Sequence, residues 1–243
     1  MFNNENIVKR PSIEMVDEGL RQYMIKVFNY IGFGLCITAL TSYITVNTSL
    51  ISVFFTIDPA TNMASISALG WITAFTPFIM VMIMYSSIYK ISSNTLQLLF
   101  WGYSALIGLS FAPLMILYTS ASITRVFLIT AATFGGMSLL GYTTNKDLTK
   151  IGAFLYMGVW GIIIASCVNF FMNSSGLYYA ISYVSVIVFT GLSATDTQKI
   201  KNTYYSSLNN ENRNKSIIIG ALILYMDFIN LFLSLLRVMG DRR

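Results

Sequence analysis

The sequence predicts an all-α fold: a polytopic membrane protein built as a bundle of seven transmembrane helices. Three observations predict it. Of the 243 residues 55% are hydrophobic and only 10% are charged, where a soluble domain carries about 25% charged side chains. The apolar residues gather into blocks of about 18 to 24 with almost no charge, each long enough at about 1.5 Å per residue to cross a hydrocarbon core of about 30 Å. The 15 Lys and Arg, against 10 Asp and Glu, sit at the ends of these blocks, where they orient a membrane protein instead of forming a stripe for nucleic acid. A transmembrane barrel would need short alternating segments.

Taken in order, residues 1–27 form a leader of mixed charge, with Glu5, Lys9, Arg10, Glu14, Asp17, Glu18, Arg21 and Lys26, unlike the basic start of a signal peptide. Within it Ile13, Val16, Leu20, Met24 and Val27 recur at spacings of three and four after Pro11-Ser12. That spacing predicts a short amphipathic helix lying on the membrane surface. Residues 28–240 form a single bundle, with spans at about 28–51, 68–89, 96–118, 123–141, 151–172, 177–195 and 217–238.

Pro77 and Pro113 predict kinks in the second and third spans, because each removes a backbone donor. Gly32, Gly34, Gly102, Gly108, Gly135, Gly136 and Gly191 predict close helix approach. Trp71, Trp101 and Trp160 read as interfacial anchors, and Cys36 and Cys167 as small packing residues. The links are short except for 52–67, rich in Ser and Thr, and 196–216, which is polar and charged.

Orientation follows from the basic residues. The leader and the second, fourth and sixth links hold 11 Lys and Arg, and the opposite side holds four: Arg125, Arg237, Arg242 and Arg243. The N-terminus is therefore expected in the cytoplasm. A re-entrant seventh block would change the tally to 14 against one, yet an unbroken apolar stretch of that length favours a full crossing.

Eight of the ten acidic residues lie in the leader, links or tail, but Asp196 closes the sixth block and Asp227 sits in the middle of the seventh. A charge at mid-span costs about 2.5–3.5 kcal/mol on insertion scales, so such a group faces protein or water. Around the seventh block Gly220, Asp227, Asn230, Ser234 and Arg237 fall within about 100°, and in the sixth Ser182, Ser185, Ser193 and Asp196 fall within about 80°. Two polar-striped helices joined by one loop are expected to face each other. Like charges brought together in a poorly solvated site titrate as a coupled unit, so Asp196 and Asp227 make a candidate pH sensor in a chain with no histidine. Plain hydrogen bonding of each carboxyl to a neighbouring helix is the bland reading.

The segments Gly191-Leu-Ser-Ala-Thr-Asp196-Thr-Gln-Lys-Ile-Lys201 and Leu224-Tyr-Met-Asp227-Phe-Ile-Asn230-Leu-Phe-Leu-Ser-Leu-Leu-Arg237 resemble the signature segments of the transmembrane Bax inhibitor motif family. The leader run Asp17-Glu-Gly-Leu-Arg-Gln-Tyr-Met-Ile-Lys26 resembles its bacterial branch in particular. The resemblance implies a seven-helix bundle with the C-terminal helix central, a pH-responsive latch of two aspartates on a cation path, and a calcium leak. Asp196 and Asp227 match those aspartates, and Lys90 is the candidate for the family's basic residue at the inner end of the second span. It carries an ammonium in place of a guanidinium, and residues 79–84 are wholly apolar where leak-type relatives carry a glutamate. Asn230, Ser234, Ser182, Ser185 and Ser193 are the candidate ion path.

Calcium takes six to eight oxygen ligands, so two carboxylates with Asn230, Ser182, Ser185 and backbone carbonyls make a loose, weak set suited to a leaked ion. No cofactor is expected. The expected partners are the lipid bilayer, calcium or other cations and, by the family's alternative role of restraining other membrane proteins, a membrane protease or cell-death machinery; nucleic acid is not expected. An enzyme is not expected either. Intramembrane aspartyl proteases need Tyr-Asp and Gly-x-Gly-Asp, whereas here the contexts are Thr195-Asp196 and Tyr225-Met226-Asp227. The expected location is the bacterial inner membrane.

Overall fold

The computed structural model describes residues 13–57, 64–88, 90–206 and 210–243; the start of the leader, with Glu5, Lys9 and Arg10, and Asp58 lie outside them. Helix α1 (Ile13–Asn47) is followed by a single turn α2 (Ile51–Phe54) and a small antiparallel hairpin, β1 (Phe55–Ile57) with β2 (Ala64–Ile66), pairing Phe55 with Ile66. The remaining helices are α3 (Ala68–Ser87), α4 (Ser93–Leu117), α5 (Ser120–Thr143), α6 (Thr149–Met172), α7 (Ser175–Ser206) and α8 (Asn210–Met239). Seven of them are long and apolar enough to cross a membrane.

The ends of these helices are written in the links. Ser67, Ser92 and Thr119 cap α3, α4 and α5 by accepting from the backbone N–H of Gly70, Thr95 and Ser122. Before α6 the cap is an Asx turn: Asp147 Oδ1 accepts from the Thr149 N–H at 2.9 Å and its hydroxyl at 2.6 Å. Those two bonds hold the Asp147 carboxyl below the ordinary aspartate value. Asn173, at φ 49°, ends α6 in the left-handed region that asparagine tolerates.

The C-terminal helix is the core. In α8, 67% of the membrane-crossing stretch is buried, against 44% in α7 and 28% or less in the other five. It packs on α1, α4, α5 and α7, while α3 rests chiefly on α4 and α6 chiefly on α7. The expected ring of six is thus four inner helices and two outer ones. At the centre the buried Tyr225 ring meets Phe100 and Tyr103 edge-on at 5.8 Å, and its hydroxyl shares a 2.6 Å hydrogen bond with Thr38.

Two expectations change. The leader does not form a separate surface helix: from Ile13 onward it is the first part of α1, and its apolar face, with Leu20, Tyr23, Met24 and Val27, is buried. Tyr23 packs on the Tyr204 ring at 5.4 Å and donates to Ser216 at 3.4 Å, so protein at the end of α7 and the start of α8 covers that face.

The last block, for which re-entry is the alternative, has no break at which it could turn back. Helix α8 runs unbroken for 30 residues, and the tail beyond it pairs with the α4–α5 link at the end of the bundle away from the start of α1. Tyr118 bridges Arg242, and the Thr119 N–H donates to the Asp241 carbonyl at 3.1 Å. The arginines that favoured re-entry have partners here: Arg237 and Arg242 lie over the rings of Tyr178 and Tyr118 at 5.8 and 5.9 Å, and Arg125 pairs with Asp241 at 2.9 Å. Cys36 and Cys167, finally, are exposed on the outside of the bundle instead of packed within it.

Proline and glycine behave largely as their chemistry directs. Pro77 lies inside α3 and leaves the Thr73 carbonyl without its helical donor; Ser110 of α4 supplies one at 3.3 Å. A Cβ on Gly108 would run into Thr41 and the Thr38 carbonyl of α1, and one on Gly141 into the Ala194 carbonyl of α7. Gly32, Gly135 and Gly136, by contrast, have open space where a Cβ would sit.

Candidate functional site

Helix α7 turns Asp196 inward, where it is 2% exposed, and α8 does the same for Asp227, 5% exposed. The two helices run antiparallel, and Gly220 of α8 lies against Ile200 of α7. Counting along both from that contact sets Asp227 level with Ser193, about one turn from Asp196. Each carboxyl lies within electrostatic reach of the other. The structure thus places the two buried carboxyls about one turn apart on facing helices.

The two carboxyls differ in their partners. Tyr156 of α6 places its hydroxyl 2.8 Å from Oδ1 and 2.7 Å from Oδ2 of Asp196. Lys199, one turn along α7, sets its ammonium 5.6 Å from the centre of the Tyr156 ring and acts electrostatically on Asp196. Asp227 has no such support: its Oδ2 is buried with no hydrogen-bond partner among the described residues. Tyr85 of α3 is near enough to interact electrostatically with both aspartates. The outer helix α6 thus supplies a bonded phenol to one acid of a pair carried by the inner helices.

The other candidates divide by depth. Ser193 is fully buried and level with Asp227, and Asn230, half-buried, lies one turn from it. Ser234, Ser185 and Ser182 are buried too, but they lie further along the helices, Ser234 about 10 Å and Ser182 about 21 Å from the aspartate of their own helix. Ser182, Ser193 and Ser234 each donate to the carbonyl four residues back, at 2.9, 2.8 and 2.7 Å. Each of these hydroxyl oxygens keeps capacity to accept a further bond. Lys90 is exposed in the turn between α3 and α4, and no ion pair among the described residues includes it. Lys199, and not Lys90, is the cation that acts on Asp196 in this arrangement.

Sequence reasoning missed Tyr156, Tyr85, Lys199 and Gln198. Gln198 ties the inner end of α7 to the α5–α6 link, accepting from the Leu148 N–H and donating to the Lys146 carbonyl, both at 2.8 Å. Lys201 adds a 2.7 Å bond to the Tyr142 carbonyl at the end of α5. Among the described residues no group of three or more His, Cys, Asp or Glu side chains is placed to hold a metal ion. What the site offers is two carboxyls, two phenols and hydroxyl oxygens in a row along α7 and α8.

Comparison with known proteins matches this sequence to one family. The sequence model described as "Inhibitor of apoptosis-promoting Bax1" matches residues 20–243. The E. coli K12 inner membrane protein YbhL is 41% identical across 96% of this chain and 97% of its own length. A Rickettsia prowazekii protein, RP147, is 42% identical across 93% and 92%, and a Borreliella burgdorferi protein is 44% identical across 91% and 93%. With the family's model covering both aspartate segments and relatives matched nearly end to end, this multi-pass membrane protein belongs to the Bax inhibitor family.

Proposed function

We propose that the chain is a pH-sensitive cation leak channel of the bacterial inner membrane, with calcium as the transported ion and its N-terminus in the cytoplasm. One observation carries the reading: Asp227 is buried at mid-span with one carboxyl oxygen unpartnered, within electrostatic reach of a second buried carboxyl. An intramembrane acid left in that state belongs by default to a pathway or relay, because structural carboxyls in a low-dielectric interior are fully bonded. Two interacting acids titrate together, so proton concentration sets how much negative charge the path presents to a cation. The inner-membrane location rests on the relative named as an inner membrane protein.

The pair acts here on ions instead of bonds. The oxygen set is too sparse for tight calcium binding, which suits transient passage. The purified protein in liposomes, loaded with a calcium indicator and stepped through external pH, tests the reading. Calcium entry with a pH-dependent rate is expected. Entry equal to that of protein-free liposomes at every pH rejects the channel and favours the family's other role, a non-transporting membrane protein that binds and restrains a membrane protease or another membrane protein.

A further inference from the structure

Outward of Asp227 the inner helices part. Phe228 and Phe232 of α8 form the floor of a groove of about 250 Å³, with Ala39 and Ser42 of α1, Leu114 of α4 and Phe127 of α5 as its walls. The groove opens sideways: Ala39 and Phe127 are exposed, on helices whose surroundings are the bilayer. Its lining is apolar but for a few hydroxyls, and one of these is anomalous. Ser42 is only 4% exposed, and its Oγ has no hydrogen-bond partner among the described residues. A buried hydroxyl left unbonded is unfavourable, so this one calls for an occupant with an acceptor at its depth.

The end of the bundle beside the groove is basic, though no arginine is itself a wall of the groove. Thr124 lines it, and Arg125, the next residue, reaches the Met239 carbonyl at 3.2 Å and Asp241 at 2.9 Å. Arg243 lies 3.5 Å from the Ser120 hydroxyl, and Arg242 lies over the Tyr118 ring. With Arg237, this end of the bundle gathers four guanidinium groups against one acidic side chain, Asp241, among the described residues. Guanidinium forks match phosphate oxygens in geometry. Ser42 lies five residues before the end of α1 at Asn47, about 7.5 Å inward, the side of a headgroup on which acyl ester carbonyls begin.

We propose that this groove is a binding site for an anionic phospholipid of the surrounding bilayer, with one acyl chain between α1, α4 and α5, an ester carbonyl accepting from Ser42 and the phosphate held by the arginines at that end of the bundle. The site is separate from the aspartate pair and holds whether or not the protein conducts ions. Native mass spectrometry of the detergent-purified chain, titrated with phosphatidylglycerol and phosphatidylcholine of equal chain length, tests it. One phosphatidylglycerol should be retained, on the order of tenfold better than phosphatidylcholine. Ala39→Phe, which fills the groove from an exposed position, should abolish retention of both lipids. Arg125→Gln with Arg243→Gln, both in exposed side chains, should remove the preference between headgroups while weak binding of both lipids persists and reports an intact groove.

Phosphatidylglycerol carrying a photoactivatable acyl chain gives a second readout in unmodified protein, with adducts expected on α1, α5 or α8 groove residues. Equal retention of the two lipids by the wild-type chain, adducts confined to other surfaces, or release of the lipid by excess inorganic phosphate would each overturn the proposal, the last by showing a free-anion site instead.

Discussion

The hydroxyl of Tyr156 sits 2.8 and 2.7 Å from the two oxygens of Asp196, so a phenol from an outer helix grips both arms of one carboxyl while Asp227 keeps a bare oxygen. Asymmetry of this kind makes one acid of a pair the fixed partner and the other the responsive one. Tyr156→Phe removes the grip with little change in shape. A hydrogen bond to a charged group contributes about 1.5–3 kcal/mol, so the midpoint of pH-dependent calcium flux should move by about one unit or more. An unmoved midpoint would assign Tyr156 to packing.

Asp196→Asn and Asp227→Asn, singly and together, form a double-mutant cycle on flux. Residues in contact through one electrostatic site show non-additive effects of about 0.5–3 kcal/mol, and the double variant should lose the pH transition that each single variant distorts. Additive effects, with the transition intact in the double variant, would place the switch elsewhere.

Lys199 acts on Asp196 in this structure, whereas Lys90 stands exposed in its turn. Lys199→Met is expected to shift the pH midpoint. Lys90→Met raises flux near neutral pH if the latch recruits Lys90 in a second, closed arrangement; flux measured on both variants in one liposome preparation separates the two cations.

Gly141→Ala should lower thermal stability in detergent, because the new methyl meets the rigid Ala194 carbonyl of α7 two residues from Asp196. Overpacking against backbone costs about 1–3 kcal/mol. Gly135→Ala, six residues away on the same helix with open space around it, should be neutral or slightly stabilising. Equal melting of the two variants would deny the close approach.

Two cysteines test orientation in a background freed of Cys36 and Cys167. One placed at Asn4 should react with a membrane-impermeant reagent only from the cytoplasm, and one at Asp241 only from outside. Labelling of both from the same side would contradict seven crossings.

How much the sequence disclosed depends on the kind of signal. Asp196 and Asp227 stand out because a carboxyl in an apolar run is costly, and cost is visible without a structure. Tyr156 was invisible, since a tyrosine in a hydrophobic span reads equally as an interfacial anchor; only the packing of α6 on α7, with Gly158 against Val188 and Gly152 against Thr195, brings its hydroxyl to Asp196. The leader was half legible. Its apolar face was evident from spacing, but spacing cannot tell a lipid surface from Tyr204 and the neighbouring helix ends. The charge tally leaned towards re-entry because it counts arginines and is blind to the aromatic rings and backbone bridge that hold Arg237 and Arg242.

The helix at the centre of the bundle leaves the ribosome after the six that surround it. Chains emerge from their N-terminus at about 5–20 residues per second, so the six earlier helices enter the bilayer before α8 exists to fill the space between them. Until then the faces that will meet Leu222, Leu224, Tyr225 and Leu231, all fully buried in the finished protein, can be covered only by lipid or by one another. Assembly of the seven helices must therefore wait for α8, which displaces whatever holds the centre before Arg242 can pair with Tyr118.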